Sequence, residues 1–568
     1  MKSNWNITQP NEDLQREFVK EFNILPLTAQ FLINRGFVEL GTASSFLNPD
    51  IKAISEPSLM SGMEESVQRI AKALKDREKI AIYGDYDVDG TTATALLKLF
   101  FKELGTSVLT HIPERLSEGY ALNNNAIKSL NEAGASLIIT TDCGVSNHDE
   151  IVFANTIGVD IIITDHHEVP ERVPPAYAIL NPHKKGCEFP FKGLSGVGVA
   201  FYLAMGLRQK LRDDGYFTDR EEPNLKKYLD LVCIGTVADM VPLVDENRIL
   251  VKHGLTELKR TERPGLKALK SVAGVRDEKL NTESISFQLA PRINAAGRVG
   301  SASVALELLC TTDEIRARYL ALKLDDENKK RQKIEADIYE EALAMIEKNS
   351  TDKGIVLFKE GWHPGVVGIV ASRLVSRFSK PAIMIALDGE LGRGSARGIK
   401  NFDILNGISK CSDLLIKFGG HRAAAGLTVS QDNTAAFRDK FMSFINESLS
   451  DEDLIPEVQL DGIISLDEID MRLVNEIEKL SPFGISNREP LLGALDTNIL
   501  HTSVVGAKHL KLMVRHKGDP LKAIAFGLGD MHPITGPGFD LAFRPYLDDW
   551  RGGRSLGLKI KDVKETLV

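Results

Sequence analysis

Residues 159–167 read Val159-Asp160-Ile161-Ile162-Ile163-Thr164-Asp165-His166-His167. The run 161–164 is apolar and β-branched, which predicts a short buried strand. It stops at a carboxylate and two imidazoles. In an open parallel α/β sheet, ligands bind just beyond the carboxyl ends of the strands. Asp165, His166 and His167 could hold a hard or borderline divalent cation there. A helix cap or a solvated turn uses the same residue types, so the triplet alone leaves both readings open.

Two other strands end the same way. Residues 79–83 (Lys-Ile-Ala-Ile-Tyr) predict a buried strand that runs into Gly84-Asp85-Tyr86-Asp87-Val88-Asp89-Gly90, and 91–104 has helical spacing. The acidic run is no helix–loop–helix calcium loop, because it follows a strand and lacks the glutamate at the twelfth position. Three acids in such a turn repel one another unless a cation neutralises them. Residues 137–141 (Leu-Ile-Ile-Thr-Thr) predict another strand, ending at Asp142-Cys143-Gly144. A further strand is expected over 106–113. It leads to Arg115, which reads equally as a phosphate clamp or a surface arginine. The intervals 124–133 and 148–156 carry helical patterns. Alternating strands and helices imply a parallel sheet. Its strand ends share one edge, so Asp85, Asp87, Asp142, Asp165 and His166 converge. Asp239 stands alone in the apolar stretch 231–243. A buried carboxylate needs a partner, here a base or a metal.

Bulk properties narrow the classes. A chain of 568 residues with 43% hydrophobic and 26% charged residues predicts three or four globular domains. Residues 1–13 contain no apolar leader core, and no run of about 18 apolar residues occurs, so neither secretion nor a membrane span is expected. Five widely spaced cysteines without a C-x-x-C pair suit a reduced cytoplasm. Net charge is −9, which argues against a nucleic-acid coat but not against a local basic groove. No G-x-x-x-x-G-K-[S/T] loop is present, which disfavours an ATP motor. The run 193–200 lacks the last glycine of a dinucleotide fingerprint.

The rest of the chain reads as support. Residues 1–75 predict a helical scaffold, with a short helix over 25–33. Residues 289–298 (Leu-Ala-Pro-Arg-Ile-Asn-Ala-Ala-Gly-Arg) read as a small-residue loop presenting Arg292 and Arg298. Thr311-x-x-Glu314 has the pattern of a capping box and starts a long polar helix to about 348, a spacer. From 355 a second α/β region begins. Its glycine runs 392–398 and 418–426 read as phosphate-binding loops, the second entering a packed helix. Residues 446–456 suggest a linker. The last 68 residues carry 11 Lys+Arg against 7 Asp+Glu, a local +4. Leu510, Leu512 and Val514 alternate with Lys511 and Arg515. Two further strands are expected over 543–560, around Trp550. A small basic β-barrel tracking a single strand fits this stretch, and so does an ordinary β domain with a solvated face.

Mostly oxygen ligands with one or two imidazoles favour manganese or magnesium. Asp85, Asp87, Asp142, Asp165, Asp239 and His166 could share two such ions, as in an in-line displacement at phosphorus. His167 would then suit scissile-phosphate contact or leaving-group protonation. The residues alone thus point to a two-metal phosphodiesterase.

Taken together, Gly84-Asp-Tyr-Asp-Val-Asp-Gly90, Thr141-Asp-Cys-Gly144, Asp165-His-His167 and Gly235-Thr-Val-Ala-Asp239 resemble the ordered signature motifs of the DHH phosphoesterase superfamily. Residues 289–298 and Gly419-Gly-His421 resemble its later motifs and the DHH-associated domain. With the spacer helix and the basic β region, the chain from about residue 20 on is similar to the RecJ family of single-stranded-DNA-specific exonucleases. The resemblance implies 5′→3′ degradation of single-stranded DNA to mononucleotides in recombination and repair, with two Mn²⁺ or Mg²⁺ ions. It implies metal ligation by Asp85, Asp87, Asp142, His166 and Asp239, with Asp165 and His167 completing the centre. Arg115, Arg292, Ser395, Arg397 and His421 would bind DNA phosphates. The implied architecture is a helical region (1–75), a parallel-sheet DHH domain (76–310), a connecting helix (311–350), a second α/β domain (351–446) and an OB-fold barrel (457–568). It also implies a cytoplasmic monomer working with a helicase and a single-strand-binding protein. Cys143 departs from the pattern, since many relatives carry asparagine there. Two other classes compete: a phosphodiesterase for short oligonucleotides, cyclic dinucleotides or pyrophosphate, and a non-catalytic repair scaffold.

Overall fold

The computed structural model describes residues 3–114, 119, 122–346, 351–506, 508–548 and 554–566. Arg115 and residues 549–553 lie outside the described residues. The chain divides into two compact units. One comprises Trp5–Asn294, Ala302–Leu322 and Gln459–Val568; the other comprises Met1–Asn4, Ala295–Ser301 and Lys323–Val458. No described helix is long and apolar enough to cross a membrane.

The first unit is built on a parallel sheet of five strands: β1 (Lys79–Gly84), β2 (Leu109–His111), β3 (Ala135–Thr141), β4 (Asp160–Thr164) and β5 (Ala178–Leu180). The order is β2-β1-β3-β4-β5. It reverses between β1 and β3, the position where a doubly wound sheet opens a crevice. Period-two alternation sends Ala81, Tyr83, Ile138, Ile161 and Ile163 to one face. There they meet Ile127, Leu130, Ile151 and Ala154 of α2 (Asn124–Glu132) and α3 (His148–Thr156). Helix α1 (Val88–Glu103) packs beside β1, with α4 (Gly196–Asp213) and α5 (Leu229–Ala238) against it. Each of the first, second and fourth helices starts at a side-chain cap: Asp87 accepts from Gly90 N–H, Asn123 from Ala126 and Ser195 from Gly198. The second strand is shorter than 106–113, covering only Leu109–His111.

The motif at 289–298 is helical and not a loop. Helix α6 (Ala290–Val299) follows a π-helical turn, Ile285–Leu289, in which Ala290 N–H donates to the Ile285 carbonyl. Pro291 carries no N–H, and its ring crowds the preceding turn of an α-helix. The wider turn relieves that crowding and lets the helix continue. Helix α7 (Glu314–Met345) is a single element, but its cap is Asp313, not Thr311. Asp313 Oδ1 accepts from the N–H groups of Ile315 and Arg316 at 2.7 and 3.0 Å.

The second unit holds a mixed sheet. Strands β6 (Ile355–Glu360) and β7 (Ala382–Asp388) are parallel, joined through α8 (Val367–Phe378). Strands β8 (Leu391–Arg397), β9 (Leu415–His421) and β10 (Ala424–Ser430) complete it in the order β9-β10-β8-β7-β6. Both glycine runs are therefore strands and a hairpin, not loops. A Cβ at Gly394 would come within 2.8 Å of Leu427, and one at Gly392 within 2.8 Å of Ile385. These glycines admit apolar neighbours across the sheet, a packing need that mimics a loop signature in sequence. The run 418–426 leads into β10, and the helix α9 (Gln431–Ser448) starts only afterwards, reaching into the expected linker.

The C-terminal strands close into a barrel: β11 (Leu492–Val505), β12 (His509–Arg515), β13 (Leu521–Ala525), β14 (Gly536–Asp548) and β15 (Ser555–Glu565). The circuit runs β11-β12-β13-β15-β14 and back to β11. Leu510, Leu512 and Val514 point into the core, as the alternation predicts. That core also takes in Phe18, Phe31, Leu32 and Phe46 from the N-terminal helices. The N-terminal region and the barrel thus share one hydrophobic interior.

Candidate metal centre

Register assembles the site. Gly84, Thr141 and Thr164 pair across β1, β3 and β4, so the residues that follow them fall in a row. The backbone ladder extends to those residues. Asp85 N–H donates to Thr141, Asp142 N–H to Thr164 and Asp165 N–H to Leu180. Adjacent strands stand about 4.8 Å apart, which brings carboxylates into one cluster by backbone geometry alone. Helix α5 brings Asp239 to its C-terminus, where it is largely buried.

Donor atoms of Asp85, Asp87 and Asp142 lie within 4.8 Å of one another, as do those of Asp142, His166 and His167. The same holds for Asp89, His166 and Asp239. His166 Nε2 is 3.1 Å from Asp142 Oδ1 and 3.4 Å from Asp239 Oδ2. These three atoms are buried and make no hydrogen bond among the described residues. Burial lowers the His166 pKa to about 4. The ring is therefore neutral, with Nε2 facing carboxylate oxygens. An imidazole nitrogen packed against two carboxylate oxygens needs a proton or a cation among them. The donor set of carboxylates and one imidazole suits Mn²⁺ or Mg²⁺.

Electrostatics agree. Burial, and then the charges of Asp89, Asp87, Asp239 and Asp85, push Asp142 well above the usual carboxylate range. Burial, and then Asp89 and Asp87, raise Asp239 to about 9. Asp89 rises to about 7, through burial and then Asp87. A bound divalent cation reverses this logic by favouring the ionised forms.

Asp165 differs. Its Oδ1 accepts from the N–H groups of His166 and His167 and bonds His167 Nδ1 at 2.7 Å, and its Oδ2 accepts from Val145 N–H. Burial, the largest influence, raises its pKa, but the His167 hydrogen bond and charge, the Val145 N–H and His166 together outweigh it and the net shift is downward. Burial lowers the His167 pKa, but Asp165, Asp239 and Asp85 outweigh it and raise the value to about 9. Asp165 thus orients a protonated His167 and does not face the cluster as a ligand.

Asp89 is the residue that sequence reasoning left out. Its carboxylate accepts from Gly196 and Val197 N–H at 2.6 and 2.9 Å, capping α4. The signal was present in the Asp-x-Asp-x-Asp run, where the third acid falls in the first turn of α1. Cys143 is buried among the apolar side chains under β1 and β3 and contributes no ligand atom.

The expected phosphate contacts fall in both units. Arg292 donates to the Gln288 carbonyl on its own helix. Ser395, Arg397 and His421 belong to the second unit. Arg397 pairs with Ala424, and Ala424 with His421, so Arg397 and His421 face the same side of the sheet, with Ser395 two residues back. Arg397 Nε donates to Ser372 Oγ, and Gly368 at the start of α8 abuts Ser395.

Comparisons with known proteins agree with this architecture. The DHH family N-terminal domain matches residues 79–236, the DHHA1 domain 351–447 and the RecJ OB domain 460–562. The single-stranded-DNA-specific exonuclease RecJ of Bacillus subtilis is 39% identical over 99% of this chain and 71% of its own length. That of Escherichia coli is 37% identical, covering 97% of this chain and 98% of the relative. The crystal structure of RecJ from Thermus thermophilus in complex with Mn²⁺ superposes with a TM-score of 0.86 at 28% identity, covering 100% of this chain and 80% of that one. A second structure of that protein is a complex with Mg²⁺. This chain belongs to the RecJ family of single-stranded-DNA-specific exonucleases.

Proposed function

We propose that this protein degrades single-stranded DNA from its 5′ end, releasing mononucleotides by hydrolysis at a two-ion centre. The observation that carries the proposal is the meeting of Asp142 Oδ1, His166 Nε2 and Asp239 Oδ2, buried and without hydrogen bonds. Asp85, Asp87, Asp142, His166 and Asp239 would hold the ions. When bound, divalent cations would stabilise charge on the phosphate oxygens and acidify an attacking water. The chain's own residues supply the rest. Asp165 holds His167 protonated, poised to contact the scissile phosphate or to give a proton to the leaving 3′ oxygen. Arg115, Arg292, Ser395, Arg397 and His421 would bind DNA phosphates. Residues 76–310 would form the catalytic domain, 311–350 the connecting helix, 351–446 the DHH-associated domain and 457–568 the strand-binding barrel. Family membership also supports work beside a helicase and a single-strand-binding protein, as a cytoplasmic monomer.

The test is a time course on single-stranded DNA labelled separately at each end, with Mn²⁺ and with EDTA. Immediate release of 5′-labelled mononucleotide, abolished by EDTA, is expected. Release from the 3′ end would overturn the polarity. Metal-dependent cleavage of neither label would overturn the activity itself.

A further inference from the structure

We propose that the open edge of the second unit's sheet takes up an extended segment of another protein, apolar with acidic residues, which joins the sheet as a sixth strand beside β6. Strand β6 (Ile355–Glu360) ends the order β9-β10-β8-β7-β6, so it pairs only with β7. Ile355 N–H donates to the carbonyl of Pro381, just before β7. Backbone groups alternate in direction along a strand, so Val356 and Phe358 turn N–H and C=O to the other side. No described strand meets them there. That side is a slot of about 950 Å³ within the second unit. Residues 354–357 form its floor. The ends of α7 and α8 form one wall, and α9 forms the other through Arg438, Met442 and Asn446.

Three observations point to a peptide strand. First, the opening residues of β6 carry none of the devices that blunt an edge. Residues 355–358 read Ile-Val-Leu-Phe, and their register with β7 runs without a shift. The opposite edge of the same sheet, β9, has a bulge between Leu415 and Lys417 and exposes that lysine. Second, the walls offer apolar seats. Met345 is 43% exposed at the end of α7, with Phe378 on its wall and Met442 facing across. Strand addition takes its affinity from backbone hydrogen bonds and its specificity from such seats for alternate side chains. Third, the charge favours acidic residues. Arg377, Lys380 and Arg438 face Asp352 and Asp439 in the slot. Arg438 already pairs with Asp439 at 2.9 Å, and Asp352 Oδ1 accepts from Asn446 Nδ2. Neither Arg377 nor Lys380 forms an ion pair among the described residues. Carboxylates on the incoming segment would meet these two cations. A second copy of this chain does not fit. Ile355 and Val356 are each 6% exposed, so the edge is recessed between helices. Two recessed edges do not come within the roughly 4.8 Å that strand pairing needs.

The test uses the full chain and a fluorescein-labelled peptide with capped ends, Asp-Glu-Val-Ile-Val-Thr-Val-Glu, read by anisotropy. Saturable binding below about 1 mM is expected. Replacing the three acids by lysine should weaken it about tenfold or more. Two further peptides carry methyl groups on the backbone nitrogens of alternate residues, one on each alternating set. One should bind about tenfold or more weakly and the other within about twofold of the parent, because only one set of N–H groups faces β6. The double variant Arg377→Glu/Lys380→Glu should invert the preference and bind the lysine peptide over the acidic one. Phe358→Pro removes an outward N–H from the edge and should weaken the acidic peptide about tenfold. Urea unfolding checks that each variant is folded, and the charge swap keeps the test valid if the proline unfolds the strand. No saturable binding of the acidic peptide, equal binding of the two methylated peptides, or a preference unmoved by the charge swap would overturn the proposal. So would displacement of the peptide by a thymidine oligonucleotide, which would give the slot to DNA. A concentration-dependent wild-type dimer that the charge swap dissociates would give it to a second copy and overturn the proposal as well.

Discussion

Four aspartates around one point do different work because their neighbours differ. Asp165 accepts from three backbone N–H groups and from His167, and Asp89 accepts from two backbone N–H groups. Asp142 Oδ1 and Asp239 Oδ2 meet only Nε2 of His166. A carboxylate wrapped in donors is a positioning group, and one left bare in a buried cluster awaits a cation. This predicts opposite effects of one substitution. Asp142→Asn removes a carboxyl whose ionisation is disfavoured by burial and neighbouring acids in the folded protein but not in the unfolded chain, so in EDTA near neutral pH the variant should be more stable than wild type by about 1 kcal/mol, read by urea unfolding. With Mn²⁺ the order should invert, because the cation stabilises only a protein that binds it. Mn²⁺ affinity by calorimetry should fall more than about 100-fold, beyond the loss typical of an outer-sphere change. Equal Mn²⁺-induced stabilisation of the two proteins would remove Asp142 from the ligand set.

At the scale of elements, the site depends on three helices approaching closely. Gly235 on α5 faces α1 and α4. A Cβ there would stand 2.4 Å from Thr92 Oγ1, 2.7 Å from Val197 and 2.8 Å from Asp89 Oδ1. Gly196 at the start of α4 meets Asp142 in the same way, at 2.6 Å. The glycines in these motifs serve packing first; they let α4 and α5 deliver their ends to the row of strand termini. Gly235→Ala should therefore destabilise by about 1–3 kcal/mol, the usual cost of overpacking, and shift the Asp89 carboxylate. Urea unfolding measures the first, and weakened Mn²⁺ binding the second. A variant as stable as wild type would mean that α5 can withdraw without cost.

At the scale of the molecule, the N-terminal helices and the C-terminal barrel are one body although more than 400 residues separate them. Their shared core joins Phe18, Phe31 and Phe46 to Leu492, Leu541 and Phe543. Arg248 fastens the catalytic portion to both. It is 1% exposed, lies 3.8 Å over the Phe46 ring, and donates to the carbonyls of Phe46, Leu480 and Lys479. Burial holds its pKa down to about 9, so it remains protonated at neutral pH. Arg248→Met keeps the apolar stem but removes the donors to three carbonyls, of which only that of Leu480 keeps another bond, from Asn487 Nδ2. It should cost about 3 kcal/mol by urea unfolding, since each unsatisfied group costs about 1–3 kcal/mol and partial rehydration recovers some. A loss below about 1 kcal/mol would show that water satisfies those carbonyls. The shared core also means that removing 457–568 would bare an apolar face.

The amino-acid sequence by itself determined the parallel sheet, the barrel's inward and outward faces, and the convergence of Asp85, Asp87, Asp142 and His166. Each follows from local rules: apolar runs make strands, alternation sets a face, and parallel strands end on one edge. Only the tertiary structure decided what depends on distant partners. Glycines at 392–398 and 418–426 read as loops because sequence does not reveal which neighbours need the room. The helix at 290–299 was hidden by Pro291, whose cost the π-turn absorbs. Asp89 and Asp165 could be told apart from the proposed ligands only once their backbone donors, more than 100 residues away for Asp89, were in place. The joining of the first helices to the last strands has no local signal at all. It arises because two apolar faces, each incomplete alone, bury one another.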